Sequence, residues 1–398
     1  EQLSSLMVAG PVSKFELVFK SMSENILKNI FWCKNCVMMS TRPRLTFDSR
    51  GFCTACQWAE EKKKIDWSKR QKLLEKLLQK HKSKNSGYDC ITTVSGGKDG
   101  SYVSHNIKNK YGMNPLAVTF RPSMETQLGM ENLKSFVESG FDHIHVTANM
   151  DVLRILNRIG LIEMGFPYYG WLIGIHTSVL RIAQQMKINL IFYAEDGEVE
   201  YGGDMKHKNN GIYGIKYQIA AYLESGYNKV ISKAKAEGLT EKQLYWFTFP
   251  DEREVENLNI DITHYSFYEN WDPYRNYLVA KEHYNLKENK NLNVGTYTNY
   301  SQTDSTLFDL HMYFMYLKLG FGRTTSDASI DVRRGAMSRD QAVQLIRLYD
   351  DIYPEKNFLK YCEYYKISMK EFLDNIDKWA NKDLFEKKTK WMPKFKIS

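Results

Sequence analysis

A chain of 398 residues, 43% of them hydrophobic and 14% aromatic, can bury a substantial core, and its length favours two or three domains. No apolar run approaches the roughly 20 residues that cross a bilayer, and no secretory signal pattern is present, so we expect a cytoplasmic protein without a membrane span. The formal net charge of +8 could indicate a nucleic-acid partner, depending on where the charge lies.

The chain begins with Glu1 rather than methionine. We expect residues 1–30 to be an N-terminal extension that is in part an addition from cloning, with Met22 as the candidate natural start. These residues do not enter the prediction of the fold.

Four of the six cysteines form two C-x-x-C pairs separated by sixteen residues. Each pair can fold into a knuckle that directs two thiolates at one ion, and two knuckles complete a closed tetrahedral zinc site. Disulfides, which a reducing cytosol disfavours, and an iron–sulfur cluster are the alternatives. We predict a zinc ribbon over residues 31–60, with structural Zn²⁺, and inert core thiols at Cys90 and Cys362. The predicted zinc ligands are Cys33, Cys36, Cys53 and Cys56.

The positive charge is concentrated in the segment that follows the ribbon. Residues 61–84 carry ten lysines or arginines against three acids, a net charge of +7, and the rest of the chain is nearly neutral. Four leucines between residues 73 and 78 recur at helical spacing, so we predict an amphipathic basic linker helix over residues 61–86. A solvated helix face is the simpler interpretation, and a patch for nucleic acid or an acidic partner is the alternative.

Residues 89–101 read DCITTVSGGKDGS, in which a β-branched run, a glycine pair and a helix-compatible segment follow one another. Such a turn directs backbone N–H groups and the positive end of a helix at one point, which suits a phosphate; a turn that binds no phosphate is the alternative. The common nucleotide loop needs Ser or Thr where Asp99 stands. The sequence instead resembles the pyrophosphate loop (PP-loop) of the N-type ATP pyrophosphatases, such as asparagine, NAD and GMP synthetases, which cut ATP between the α and β phosphates.

This resemblance assigns roles within the loop. Lys98 would offset the charge of the departing pyrophosphate, and Asp99 would bind Mg²⁺ against it. The first serine after the aspartate in that family is Gly100 here, so we expect Ser101 to supply the hydroxyl. The predicted ATP- and pyrophosphate-binding residues of the loop are Ser95, Gly96, Gly97, Lys98, Asp99, Gly100 and Ser101.

Three further apolar runs, at residues 115–120, 142–148 and 188–194, are separated by helix-compatible segments, which is typical of βαβ units. Over residues 87–250 we predict an α/β fold with a doubly wound parallel sheet, and the resemblance implies a PP-loop ATP pyrophosphatase domain, adenine nucleotide alpha hydrolase-like. Ligands of such sheets bind at the carboxyl ends of the strands. Three residues there are predicted to meet adenine or phosphate: Thr119, Phe120 and Arg121.

The last of these runs ends in the acidic sequence AEDGEVEYGGD. Carboxylates at a strand end beside the predicted phosphate loop indicate either further Mg²⁺ ligands or an exposed acidic turn, and we favour the ligands. The segment is similar to the acidic Asp-Gly-x-x-Glu segment of asparagine synthetases. Glu195, Asp196 and Glu198 are therefore candidate Mg²⁺ ligands. Lys98, Asp99, Glu195 and Asp196 are the predicted catalytic residues.

Residues 251–398 form a mostly helical pattern, with capping boxes that begin at Ser338 and Ser368. Two polar, aromatic blocks precede these boxes, GTYTNYSQTD at 295–304 and GFGRTTSDASIDVRRG at 320–335. Their aromatic and amide side chains suit a sugar, and their arginines suit a carboxylate or diphosphate; ordinary loops and caps are the alternative. The predicted substrate-binding residues are Tyr297, Asn299, Tyr300, Gln302, Arg323, Ser326, Asp327 and Arg333.

The combined pattern resembles the N-acetyl sugar amidotransferases of bacterial surface-polysaccharide and nonulosonate synthesis, from about Phe31 to Arg347. The motifs that carry the likeness are the CxxC pairs with TRP and GFC, then VSGGKD, EDGEVEYGG, GTYTNYSQTD and GFGRTTSDAS. The resemblance implies that ATP and ammonia convert an acetamido group of a sugar into an acetamidino group through an adenylylated imidate, with release of AMP and pyrophosphate. The pathway would be that of a lipopolysaccharide O-antigen or a nonulosonic acid such as pseudaminic acid.

The source of ammonia must lie outside this chain. It has no N-terminal cysteine nucleophile and no spare cysteine for a glutaminase triad. The resemblance implies a separate glutaminase subunit, with a barrel-type companion. The implied cofactors are ATP and Mg²⁺, besides the structural Zn²⁺.

An ATP-dependent tRNA-thiolating enzyme is the main alternative, because such enzymes also combine zinc ribbons with SGGKD loops. They generally use cysteines after the loop, where this chain has only Cys362, so we expect no nucleic-acid partner. A non-catalytic scaffold that binds ATP is the weaker alternative, and the Lys98–Asp99 pair argues against it.

Overall fold

The protein has a mixed α/β fold built around a six-stranded sheet. The computed structural model describes residues 30–83, 87–194, 198–203, 205, 208–257 and 259–397. The described strands are β1 Cys90–Thr93, β2 Pro115–Phe120, β3 His143–Val146, β4 Leu190–Tyr193, β5 Ile212–Tyr213, β6 Asp261–His264, β7 Phe385–Lys387 and β8 Trp391–Pro393.

The described helices alternate with these strands and then fill the C-terminal part. They are α1 Thr54–Lys62, α2 Trp67–His81, α3 Lys98–His105, α4 Gln127–Glu138, α5 Met150–Met164, α6 Tyr169–Met186, α7 Ile215–Tyr217, α8 Tyr227–Ala236, α9 Glu252–Asn257, α10 Pro273–Tyr284, α11 Leu307–Leu319, α12 Arg323–Arg333, α13 Arg339–Tyr349, α14 Phe358–Tyr365 and α15 Met369–Trp379. None of them combines the length and the apolar character that crossing a bilayer requires.

The strand order of the main sheet is β3-β2-β1-β4-β6-β5, and every pair is parallel except the edge pair of β5 and β6. The prediction of an α/β fold with a parallel sheet is confirmed. The antiparallel edge strand is only two residues long, too short to produce a periodic signal. The order reverses between β1 and β4, and in open parallel sheets ligands bind at the carboxyl edge at such a point.

Helices cover both faces of this sheet. Ile91 and Ile191 point into the core formed with α5, α6 and α8, whereas their neighbours Cys90 and Phe192 point into a second core formed with α2 and α3. Successive side chains of a strand face opposite sides, so each short strand contributes residues to both layers. Burial on both faces accounts for the continuous apolar runs in the sequence.

Helix α2 packs on the sheet. Its buried Leu74 and Leu78 join the core around β1 and β4, while Lys80 and His81 contact Asp261 at 2.6 and 2.7 Å. The guanidinium of Arg70 donates to the Phe267 carbonyl at 2.9 Å. The basic segment, predicted as a linker, is therefore part of the outer layer of the α/β unit. Its exposed lysines include Lys63, Lys64, Lys69, Lys72 and Lys76.

The cysteine-rich segment shares its core with the C-terminal helices. Met38 and Met39 are buried against Phe314, Leu317 and other residues of α11, and the same cluster extends to α14, α15 and β7. The C-terminal pattern is helical as expected, and the capping boxes at Ser338 and Ser368 begin α13 and α15. The N-terminal and C-terminal ends of the described chain thus form one packed layer.

Gly174 in the middle of α6 allows Phe120 at the end of β2 to pack against the helix, because a Cβ at residue 174 would lie 2.3 Å from the phenyl ring. Ala favours a helix over Gly by about 1 kcal/mol, but the overlap in a packed core costs about 1–3 kcal/mol. We expect Gly174→Ala to lower the midpoint of chemical unfolding. Gly214→Ala should leave the midpoint nearly unchanged, because a Cβ at residue 214 would have no non-neighbouring atom within 4 Å. A stabilised Gly174→Ala protein would contradict this packing.

Candidate active site and metal cluster

The turn between β1 and α3 requires glycine for two reasons. Gly96 has a φ of +78°, in the left-handed region, and a Cβ there would lie 2.3 Å from the backbone nitrogen of Leu133 in α4. Gly97 caps α3 in an extended conformation without a side-chain hydrogen bond to the helix. The first N–H groups of α3 therefore face the turn uncapped by a side chain, which suits an anion.

Gly100 packs directly on β1. A Cβ at this position would lie 2.8 Å from the Thr93 carbonyl oxygen and 3.0 Å from Cα of Val94. The PP-loop family has a serine at this position, whereas the glycine of this chain lets α3 approach the strand closely. The hydroxyl of Ser101 is buried and has no hydrogen-bond partner among the described residues. It lies behind the turn and does not line the clefts described below.

Lys98 and Asp99 begin α3 and form an ion pair with one another. The second carboxylate oxygen of Asp99 accepts a hydrogen bond from Nδ2 of Asn276 at 2.9 Å. Asn276 is fully buried in α10, which packs along α3. This contact orients the Asp99 carboxylate. Asn276 carries no sequence signal beyond its place in a helix that begins with Asp272 and Pro273.

A first cleft of about 340 Å³ opens over the turn. Its floor is residues 93–100, and Phe120, Trp171 and Ile175 provide an apolar wall. The opposite side is formed by the loop at 300–304. A polar turn beside an apolar slot can bind a ligand that has both an anionic and a flat apolar part.

The three residues predicted at the end of β2 have different positions. Phe120 lines the first cleft, whereas Thr119 is buried and donates to the Val94 carbonyl at 2.7 Å. Arg121 pairs with Glu125 at 2.6 Å and lies in a separate shallow groove. Only one of the three is thus directed at the first cleft, since side chains alternate along a strand.

A second cleft of about 410 Å³ adjoins the first. One face of α12 and the residue that follows the helix line it, with residues spaced three and four apart: Arg323, Ser326, Asp327, Ile330, Asp331 and Arg334. The two clefts have eight lining residues in common: Lys98, Asp99, Tyr168, Tyr201, Tyr300, Ser301, Gln302 and Phe308. The Lys98–Asp99 pair is therefore accessible from both clefts.

The predicted substrate residues are divided between this cleft and its surroundings. Five of them line the second cleft: Tyr300, Gln302, Arg323, Ser326 and Asp327. Tyr297 donates to Asp331 at 2.6 Å, and Asn299 donates to the Asn289 carbonyl at 2.9 Å, so both hold the loop together. Arg333 lies outside both clefts, beside the cysteine cluster.

Arg323 is a buried cation in the wall of the second cleft. Its side chain is buried, donates to the Ser301 carbonyl at 2.7 Å, and lies 4.0 Å from Asp309 and 3.8 Å from Asp327. One guanidinium nitrogen, Nη1, has no hydrogen-bond partner among the described residues. Burial raises the pKa of Asp309 to about 6 and also raises the pKa of Asp327. Of these two carboxyl groups only that of Asp327 lines the cleft, so the cleft combines a permanent cation with a carboxyl group that protonates more readily than in water.

The acidic segment after β4 is only partly described. Glu195 and Asp196 lie outside the described residues. Glu198 begins a short 3-10 helix, but its side chain is also outside the described part. Glu200 is described: it accepts hydrogen bonds from Nε1 of Trp58 at 2.8 Å and Nζ of Lys62 at 2.6 Å. Glu200 therefore anchors α1 of the cysteine-rich segment.

The four predicted zinc ligands form one buried cluster. All four sulfur atoms lie within 4.8 Å of one another, and the pairs Cys33–Cys56 and Cys36–Cys53 are separated by 3.7 Å. A tetrahedral zinc–sulfur distance of about 2.3 Å corresponds to sulfur–sulfur distances of about 3.8 Å. The separation exceeds a disulfide bond, and the cluster is closed to solvent. The cysteines therefore could bind a structural zinc ion.

The remaining two cysteines are separate from this cluster. Cys90 is buried in β1, and Cys362 is buried in α14. Burial raises the pKa of both thiols, which keeps them protonated and unreactive.

Comparison with known proteins identifies one family and one relative of limited extent. The chain is 29% identical over 128 residues to an uncharacterised protein of Methanocaldococcus jannaschii, a match that covers 32% of this chain and 42% of that protein. The chain thus spans about two fifths of the length of this curated relative. Residues 294–396 match the family described as LPS biosynthesis protein WbpG-like, C-terminal domain. This matched region contains most of the residues that line the second cleft.

Proposed function

We propose that this chain is an ATP-dependent amidotransferase that converts an acetamido group of a sugar into an acetamidino group during synthesis of a surface glycan. The observation that carries the proposal is the pair of adjoining clefts with Lys98 and Asp99 in their common wall. Such an arrangement suits a transfer between two bound molecules, because each can approach the same charged pair. The similarity of residues 294–396 to a lipopolysaccharide biosynthesis domain supports a sugar as one of them.

The first cleft fits ATP in its two chemical halves. Phe120, Trp171 and Ile175 offer an apolar slot for the purine, and the glycine turn offers backbone N–H groups to the outer phosphates. Lys98 would offset the negative charge that develops on the departing pyrophosphate. Asp99 would hold Mg²⁺ against these phosphates, as would Glu195 and Asp196, and the ion would supply further charge neutralisation.

The second cleft would bind the sugar, with its acetamido group at the common wall. Arg323 can pair with an acidic group of the sugar, and Tyr300 and Gln302 can stack on it and hydrogen-bond to it. Ammonia cannot replace the oxygen of an amide directly, because that oxygen is a poor leaving group. Catalysis therefore requires that this oxygen first be converted into a better leaving group.

The proposed reaction has two steps. The acetamido oxygen attacks the α phosphorus, the bond to the bridging oxygen breaks, and pyrophosphate departs toward the glycine turn. Ammonia then adds to the carbon of the adenylylated imidate, a proton is lost from nitrogen, and the carbon–oxygen bond breaks to release AMP. We infer that a glutaminase partner, with a barrel-type companion, supplies the ammonia in the cytoplasm.

The alternative of tRNA thiolation has no support in the clefts. No cysteine lines either of them within the described part of the chain, whereas sulfur transfer needs a reactive sulfur near the activated base. We therefore propose nitrogen transfer from ammonia.

Mass spectrometry tests the reaction. We expect candidate acetylated sugars, incubated with the protein, MgATP and an ammonium salt, to lose oxygen and gain an NH group, with AMP formed in equal amount. The panel should include nucleotide-linked diacetamido uronic acids and nonulosonic acids. Sugars without an acetamido group serve as the control. Formation of ADP in place of AMP would refute the mechanism.

Replacement of Asp99 tests the common wall. Asp99→Asn keeps the shape of the side chain and its contact with Asn276 but removes the charge that pairs with Lys98 and would hold Mg²⁺. We expect AMP formation to fall by a factor on the order of 10²–10³, as for the loss of one electrostatic contact to a transition state. Asp374→Asn, on the exposed face of α15, is the matched control and should retain full activity. Full turnover by Asp99→Asn would overturn the assignment.

Replacement of a cluster cysteine tests the metal site. Cys53→Ser leaves three thiolates in a closed site, so we expect loss of bound zinc and a lower thermal unfolding midpoint, because metal binding contributes to folding. Cys362→Ser is the control, since this thiol lies outside the cluster. The zinc content of the Cys362→Ser protein, measured by atomic emission, should equal that of the wild type. Wild-type protein with iron in place of zinc would contradict the proposal.

A further inference from the structure

Zinc bound by four thiolates forms a cluster with a net charge of −2, because four negative ligands exceed the charge of the ion by two. The cluster is buried, and a buried charge requires hydrogen bonds or a counter-charge. Three N–H groups meet its sulfur atoms: the amide of Asn35 at 3.3 Å from Cys56, and the backbone nitrogens of Met38 and Cys53 at 3.4 and 3.2 Å from Cys36 and Cys33. These donors are neutral, so they leave the net charge unchanged.

The guanidinium of Arg333 brings a positive charge to the cluster. Its Nη1 lies 3.9 Å from Sγ of Cys36, and its Nη2 donates to the Glu200 carbonyl at 3.3 Å. Arg333 lines a cavity of about 250 Å³ beside Glu200 and Lys62. This cavity adjoins the second cleft, with Pro273, Ile330 and Arg334 in the common wall, but Arg333 itself lines neither cleft. Its position is therefore that of a counter-ion of the thiolates, whereas the sequence predicted a contact with substrate.

The same arginine is the last residue of α12, the helix that lines the second cleft. Two further contacts join this region to the first knuckle, which is the turn from Cys33 to Cys36. Nε of Arg339, at the start of α13, donates to the carbonyls of Cys33 and Cys36 at 3.1 Å each, and Val37 packs against Ala328 of α12. The knuckle thus contacts α12 through charge, through hydrogen bonds of the adjoining helix and through apolar packing.

We propose that Arg333 is a positioning residue that offsets part of the negative charge of the thiolate–zinc cluster and thereby couples the metal to the helix that lines the second cleft. Zinc binding would displace the thiol protons and leave Cys36 as a thiolate, and the guanidinium that this thiolate attracts would hold the C-terminal end of α12. The inference rests on the proposed zinc site and is independent of the proposed reaction.

The first measurement is the rate at which zinc-loaded full-length protein releases zinc to a chromophoric chelator. Loss of a partner that supports the ligands typically weakens metal binding by about 10–100-fold. We expect Arg333→Met to release zinc at least about tenfold faster than the wild type, and Arg333→Lys, which keeps the charge but loses the fork, to give an intermediate rate. Arg158→Met is the matched control, because it removes a guanidinium that is paired with Glu237 and not with the cysteine cluster. This variant should release zinc at the wild-type rate.

The second measurement is hydrogen–deuterium exchange of the backbone amides of α12. We expect faster exchange near Arg333 in zinc-loaded Arg333→Met and in wild-type protein treated with chelator, while Arg158→Met exchanges as the wild type does. Equal zinc release by wild type and Arg333→Met would overturn the role of Arg333. A raised KM for the sugar with unchanged zinc release would instead assign Arg333 to substrate binding. Faster zinc release with unchanged exchange in α12 would overturn the coupling, and wild-type protein that binds no zinc would overturn the inference together with the metal site.

Discussion

The close approach of backbone to backbone at the turn after β1 is the constraint on which the candidate site depends. Gly96 lies against Leu133 of α4, and Gly100 lies against the Thr93 carbonyl, both at distances that leave no room for a Cβ. These two contacts allow α3 to begin directly at the carboxyl edge of the sheet. Lys98 and Asp99 therefore stand where the strand order reverses, at the edge where open parallel sheets bind ligands.

The rest of the site is assembled from segments that are distant in the sequence. Asn276 orients Asp99 from α10, and the loop at 300–304 closes the first cleft from above. That loop is attached to the start of α4, where Thr126 donates to the Thr303 carbonyl and its backbone nitrogen meets the Asp304 carbonyl at 3.1 Å. The sheet thus supplies the floor of the clefts, and the C-terminal region supplies their walls. Neither part contains a complete site.

The cysteine cluster lies on the far side of these walls. Its knuckles share a core with α11 and the last helices, and Glu200 and Arg333 link it to the end of the acidic segment and to α12. The cluster therefore lies at an internal junction between segments, unlike a ribbon that projects from a protein as a separate module. If the cluster binds zinc as we propose, removal of the metal would loosen the helix that shapes the second cleft.

The amino-acid sequence by itself determined the features that depend on local chemistry. Cysteine spacing predicted the ligand cluster, apolar runs predicted β2 and the parallel sheet, and the capping boxes predicted where α13 and α15 begin. Tertiary structure alone decided which side chains meet across the chain. It brought Asn276 to Asp99 and turned Arg333 away from the clefts toward Cys36, because such contacts depend on how helices pack over a hundred or more residues of separation. Local patterns carry no information about that packing, and therefore the residues of the loops and walls could be proposed as a group but not assigned individually from the sequence.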